Sequence, residues 1–310
     1  MRFFKKKFLI IAFLALGLGL FLNLSPTQAA MTEGSGLIIS PPLQEKTLKP
    51  GESFSGIVKV TNPTKSDLTV DVSAEDFKAK GEEGGQEFVE IKDNTSSYSL
   101  ASWLQTEGKF TLKSGQTHEV AFKITIPAKA EPGGHYGVLF FSPTASQNQN
   151  PLGSGAVILP KIGALFLITV PGPIKYDGKI IEFAASQKIY LNSKNKIDFL
   201  TRFENLSSVH VKPTGPVILT NTFGQKVGEF TVNQNLGNVL PESIRKFTNT
   251  WEKSYGFGFY KAKVDLTFAE GKTVSTDLTF YLVPWKETAG GILLIIVLIW
   301  AARHIRWKKR

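Results

Sequence analysis

The 310 residues carry 36 Lys+Arg against 26 Asp+Glu, a formal charge of +10, with 42% hydrophobic residues and no cysteine. That is enough apolar chain for substantial cores, and it excludes disulfide stapling, thiol catalysis, thiolate zinc sites and a lipid anchor on cysteine. The charge does not mark a nucleic-acid binder. Nine of the basic residues lie at the two ends, and without them 27 Lys+Arg face 26 carboxylates, all between Glu33 and Glu287.

At the N-terminus Arg2, Lys5, Lys6 and Lys7 precede an apolar stretch over residues 8–22, followed by Ser25-Pro26-Thr27-Gln28-Ala29-Ala30. These are the three parts of an export signal, predicted over residues 1–29 with cleavage after Ala29; an uncleaved signal anchor is the alternative. Exported domains that do without disulfides fit a bacterial exterior.

Beyond the signal the chain reads as short strands punctuated by turn residues. Residues 53–62 alternate Phe54, Ile57/Val58 and Val60 with polar positions, and residues 68–77 alternate Leu68, Val70, Val72 and Ala74. Between them Asn62-Pro63-Thr64-Lys65-Ser66-Asp67 has the composition of a turn. Strands are predicted again over 118–126, 135–142 and 156–170. Two polar stretches, 78–97 and 143–155, are expected as long loops, the places to look for binding. Pro171-Gly172-Pro173 marks a boundary, after which seven strands are predicted over 179–184, 196–205, 216–222, 227–232, 244–251, 259–268 and 273–283. So many short strands in about 110 residues is a sandwich pattern. The fold class expected is all-β, with two tandem β-sandwich domains over 35–171 and 172–285.

Residues 289–302 are uninterrupted by charge, though 14 residues of helix reach only about 21 Å of a ~30 Å hydrocarbon layer. Trp285 and Trp300 stand where interfacial aromatics belong, and Arg303, Arg306 and Lys308 can snorkel. A single transmembrane helix is therefore predicted over 288–303, with a basic cytoplasmic tail over 304–310. The positive-inside rule then places residues 31–287 outside the cell membrane.

No set of residues argues for catalysis. The four histidines, His118, His135, His210 and His304, have no partner at metal spacing. Glu75-Asp76 are strand neighbours that point to opposite faces, and Glu82-Glu83 lack the alternating oxygen ligands of a calcium loop. Glycines occur without a phosphate-loop or nucleophile-elbow pattern. Catalytic, cofactor-binding and metal-binding residues are therefore expected to be none, and no cofactor or small-molecule substrate is expected. Phe54, Phe77, Phe122, Phe199, Phe203 and Phe268 are assigned to cores. The aromatic run Trp251, Tyr255, Phe257, Phe259 and Tyr260 is read as core plus a hairpin tip, with an exposed recognition surface as the alternative.

Certain turns carry a resemblance. Leu48-Lys49-Pro50-Gly51-Glu52 leading to Val58-Lys59-Val60-Thr61-Asn62-Pro63, then Trp103, Leu112-Lys113-Ser114-Gly115-Gln116, Ile124-Thr125-Ile126-Pro127 and Pro132-Gly133-Gly134-His135-Tyr136-Gly137 resemble the first immunoglobulin-like domain of the WxL-interacting proteins. More distantly they resemble pilus-chaperone-like sandwiches. Asn205, Pro213-Thr214-Gly215, Phe223-Gly224, Leu240-Pro241-Glu242-Ser243 and Gly258-Phe259-Tyr260 look like turns of a second such module. The resemblance implies a non-enzymatic bacterial cell-envelope protein that binds cell-wall-associated proteins or external surfaces. The alternative is a chaperone or assembly scaffold for exported surface subunits. Expected partners are cell-envelope or surface proteins and, through the helix, the membrane; nucleic acid is not among them.

Overall fold

A computed structural model describes residues 36–90, 97–145, 160–192, 194–254 and 256–307. The predicted signal over 1–29, most of the 143–155 loop, residues 156–159, Tyr255 and the tail from Lys308 lie outside the described residues.

The first ten strands are β1 (Ile38–Ser40), β2 (Leu43–Thr47), β3 (Ser53–Thr61), β4 (Leu68–Lys80), β5 (Gly85–Val89), β6 (Leu104–Thr106), β7 (Lys109–Leu112), β8 (Thr117–Thr125), β9 (Gly133–Ala145) and β10 (Ile162–Val170). They form one sheet in the order β1-β3-β8-β6 and a second in the order β2-β10-β9-β4-β5, with β7 also on β4. The chain changes sheets between β1 and β2, so that β2 runs parallel to β10 while β1 pairs antiparallel with β3.

Eight further strands repeat the plan: β11 (Gly178–Ala185), β12 (Ile189–Tyr190), β13 (Lys194–Asn205), β14 (Gly215–Thr220), β15 (Lys226–Val232), β16 (Ser243–Ser254), β17 (Gly258–Thr267) and β18 (Thr273–Leu282). Their sheets run β11-β13-β16 and β12-β18-β17-β14-β15, again with a parallel pair, β12 on β18. In both halves sequence neighbours are split between two facing sheets, the immunoglobulin-like arrangement. Each pair of sheets encloses its own core, one drawn from residues 37–170 and the other from 190–282.

Strict alternation drives this. In β17 the even-numbered residues Tyr260, Ala262, Val264 and Leu266 are buried between solvent-facing neighbours, and each fully buried aromatic or aliphatic side chain contributes about 1.5–3 kcal/mol. All six phenylalanines assigned to cores are at least half-buried, and Phe199 contacts Phe183, Phe230 and Phe280.

Matching asparagines secure the turn after β3 in the first half and after β13 in the second. Asn62 and Asn205 are both fully buried. The Asn62 amide donates to the carbonyls of Ser66 and Leu112, and its oxygen accepts the Thr64 N–H. The Asn205 amide donates to the carbonyls of Val209 and Val239, both at 2.8 Å, and its oxygen accepts the Ser207 N–H. Each side chain thus supplies the hydrogen bonds that a buried turn backbone otherwise lacks.

The structure departs from the expected elements in three places. The polar stretch 78–97 is not a long loop. It opens as a hairpin, because β4 continues to Lys80 and β5 returns with Phe88 opposite Phe77 and edge-on to Phe140. Gly81 and Gly84 provide the left-handed corners of its turn. Strands β1, β2, β5, β6, β7 and β12, each two to five residues long, lack the length for a periodic signal. The C-terminal helix α1 (Trp285–Trp307) is 23 residues, starting before and ending beyond the predicted 288–303. Its residues Trp285–His304 are long and apolar enough to cross a membrane, and none of that stretch is buried against the protein.

Replacing Asn62 or Asn205 by Ala removes at least three side-chain hydrogen bonds to turn backbone in each case, with an expected loss of about 2–4 kcal/mol each. Urea unfolding checks this, and a loss below about 0.5 kcal/mol contradicts the anchoring role.

Candidate functional site

The two sandwiches meet along a polar seam. The β4–β5 turn reaches across: the Arg202 guanidinium on β13 donates to both Glu82 carboxylate oxygens, at 2.7 and 2.5 Å, and to Glu182 at 3.0 Å. Lys246 on β16 pairs with Glu83, and its N–H donates to the Glu82 carbonyl at 2.8 Å. The paired guanidinium holds the Glu82 carboxyl below its usual range, and Lys246 is raised by Glu83. From β2, Glu45 accepts Lys212 at 2.5 Å and the Asn238 amide at 2.6 Å. Burial pushes the Glu45 pKa up, but these two hydrogen bonds and the Lys212 charge outweigh it and leave it lowered.

A second seam lies beneath. Gly134 N–H donates to the Ser208 carbonyl at 2.8 Å, Tyr98 Oη to Glu242 at 3.2 Å, and the His210 N–H to Tyr136 Oη at 2.8 Å. That leaves the Tyr136 hydroxyl proton facing His210 Nδ1 at 3.4 Å. Burial dominates at both rings, raising the Tyr136 hydroxyl above its ordinary value and lowering His210 to about 4 against the attraction of Glu45, with Lys212 adding to the fall. His210 is neutral at pH 7.

Between the seams opens a cavity of about 400 Å³. Leu43, Phe77, Leu165 and Leu167 line it from the first sandwich and Leu236, Val239, Leu240 and Ile244 from the second. Arg245 stands in this apolar setting. Its guanidinium is confined between Gly84 and Gly237, since a Cβ at either would lie within 2.8 Å of it, and Nη1 donates to the Asn238 carbonyl at 2.6 Å. No carboxylate pairs with it among the described residues, and burial presses its pKa below the usual arginine range. A partly buried guanidinium that keeps unused donors in a cavity is arranged to receive an anion, best a carboxylate it can grip with two hydrogen bonds.

The histidines and acid pairs considered in the sequence have structural partners. His135 lies between the carbonyls of Ser99 and Glu131 and packs on Trp103; His118 pairs with Glu107 and stacks on Phe110. Asp76 is buried and accepts the N–H groups of Leu100 and Ala101. Glu75 pairs with Lys161, and His304 stacks on Trp300. Among the described residues no group of three metal-ligating side chains occurs. Sequence reasoning missed Arg245, and the only signal for it was an arginine next to a lysine in an otherwise alternating strand.

No protein-family profile and no curated protein matches the chain. Among solved structures it is similar to the class 5 fimbriae chaperone CfaA at 15% identity, covering 80% of this chain and 100% of that one, with a TM-score of 0.38. It is similar to the E. coli chaperone DraB at 10% identity, covering 80% and 96%, TM-score 0.34. The CsuC–CsuE chaperone-tip adhesion subunit pre-assembly complex of Acinetobacter baumannii matches at 12% identity, covering 80% and 98%, TM-score 0.36.

The His210 geometry gives a pH dependence. Between its ordinary 6.5 and about 4 the unfolded chain binds a proton that the folded chain refuses, so stability is full above 6.5 and declines as pH falls through that window. The decline attributable to His210 is on the order of 3 kcal/mol. Chemical denaturation of the detergent-solubilised chain across this range measures it; His210→Gln removes that part of the slope, and an unchanged slope contradicts the assignment.

Proposed function

We propose that the chain is a non-enzymatic, membrane-tethered protein of a bacterial cell envelope that holds a segment of another exported protein in the cleft between its sandwiches. The observation that carries the reading is Arg245: a partly buried cation without a carboxylate partner among the described residues, in a cavity of mixed polar and apolar lining large enough for several side chains. The partner's share is then an apolar segment ending in, or bearing, a carboxylate. The resemblance to WxL-interacting proteins implies the same kind of work, display at the envelope with protein partners. The basic clusters at the two ends favour a topology with the sandwiches outside and the C-terminus inside. Tethering by α1 raises the effective concentration of the cleft at the surface, so even a weak contact retains its partner.

A specific feature favours the second reading, a chaperone or assembly scaffold for exported subunits. Along β10, pairing with β2 begins only at Leu165, so the partly exposed Ile162 and Gly163 lie on a strand edge that no described strand covers. A partner strand can add to that edge beside β2.

A photo-crosslinker at Leu236, on the cleft wall and half-exposed, tests the proposal in the native envelope. One discrete adduct with an exported protein is expected, and Arg245→Gln lowers its yield about 10–100-fold, the value of a charge-assisted pair. An adduct that persists at steady state marks a stable binder, and one that disappears as its partner matures marks a chaperone. Adducts with many proteins, or a yield indifferent to Arg245→Gln, contradict the cleft as the binding site.

A further inference from the structure

The second sandwich leaves an apolar rim at one end, and that is the end from which α1 departs. The register places Ile189 and Phe259 on either side of Tyr281 across three strands, and all three side chains are exposed on the outer face. The next rungs along β17 and β18 on that face are Lys261 with Thr279, Lys263 with Asp277 and Asp265 with Ser275. The outer face is therefore polar everywhere along this pair except at its last rung. At the same level the β14–β15 hairpin tip projects Phe223, 84% exposed, with its neighbour Thr222 donating to the Phe259 carbonyl. Phe257, 68% exposed, and Leu191 complete the rim. Fixed Asn221 contacts shape the Phe223 tip: its side-chain oxygen accepts the N–H groups of Phe223 and Gln225.

We infer that this rim is a second membrane contact, a surface that seats the sandwich in the headgroup layer of a phospholipid bilayer; it rests on the reading of α1 as a membrane span. Continuity with the helix is the argument. Only Val283 and Pro284 separate β18 from α1, and the Trp285 N–H donates to the Leu191 carbonyl at 3.2 Å, so helix and rim are joined by backbone. The last charged residue before the apolar run is Glu287, and Trp285 lies four residues, about 6 Å of helix, from Ala289. The headgroup layer on each side of the hydrocarbon is about 5–8 Å deep. With Ala289 at the hydrocarbon edge Trp285 and the Leu191 end of the rim fall inside that layer, where rings with one apolar face are favoured, and the rest of the rim faces its outer boundary. Six exposed apolar side chains gathered elsewhere on the surface would be a liability; here the bilayer covers them.

A geometric consequence follows for the cleft. In β16 the Ser254 end pairs with Lys194, near the rim, and Arg245 lies nine residues away toward Ser243, so the cleft stands about 30 Å above the rim. Docking fixes that height, whereas the helix alone leaves the sandwich free to tilt.

The absence of cysteine makes the test direct. The full chain is reconstituted in nanodiscs of phosphatidylcholine and phosphatidylglycerol with a single fluorophore at Gln225→Cys beside the rim, Leu293→Cys in the helix, or Glu119→Cys on the first sandwich. Lipids carrying nitroxide on the headgroup or on the acyl chain serve as quenchers. Headgroup nitroxide is expected to quench the Gln225 reporter several-fold more than the Glu119 reporter. Combining Phe223→Ser, Phe257→Ser and Phe259→Ser returns it to the Glu119 level, while acyl-chain quenching at Leu293 persists. A quenched Leu293 with Gln225 no different from Glu119, or a Gln225 signal indifferent to the serine substitutions, overturns the rim while leaving the span intact. An unquenched Leu293 overturns the span itself and the rim with it.

Discussion

Arg202 is held between Glu82 of the first sandwich and Glu182 of its own, and one residue on from Glu82 the Glu83 carboxylate takes Lys246. Single exposed ion pairs of this kind contribute little, but here two pairs share one turn whose backbone also accepts the Lys246 N–H. Because the turn is short and cornered by glycine, its carboxylates have few other places to go. The cleft exists only while this turn stays docked, since Gly84 in the same turn forms one jaw around Arg245. Gly84 is required by its left-handed backbone, and a side chain at Gly84 or Gly237 would displace the guanidinium from its present place.

Much of the fold was legible because its long strands obey a period of two. The predicted strands from 179 to 283 fall within a residue or so of the observed ones, except for β13 and β16, which run two or three residues further, and β14, which ends two residues sooner. The Asn62 turn was legible from composition alone. What the sequence concealed is of two kinds. The short strands are specified by a neighbour rather than by their own pattern: β2 is a strand because β10 offers it an edge, and β5 because Phe88 finds Phe77 and Phe140. The cleft is assembled from residues up to about 200 positions apart, Leu43 to Arg245, and no local spacing encodes it. The aromatic run near Phe257 divides as its strand register dictates, with Tyr260 buried and Phe257 and Phe259 outside.

Charge at the two ends and chemistry in the middle serve different purposes. On the proposed reading the basic clusters set the topology of a membrane-tethered chain, whereas the near-neutral middle places its charges in intramolecular pairs such as Lys261–Asp277 and Lys109–Asp71. Arg245 departs from that habit. It is partly buried with no carboxylate partner among the described residues, and its hydrogen bond to the Asn238 carbonyl uses only part of its donor set. In the adjoining seam the Tyr136–His210 contact adds neutral hydrogen bonds between the sandwiches.

The most direct test of the clamp is a distance distribution between spin labels at Ser55→Cys and Thr279→Cys, on the outer faces of the two sandwiches, in the otherwise cysteine-free chain. One narrow distribution is expected, broadening when Glu82→Ala and Glu83→Ala are introduced together. A broad distribution in the parent chain, or a width unaffected by the two substitutions, contradicts a cleft held open by the β4–β5 turn.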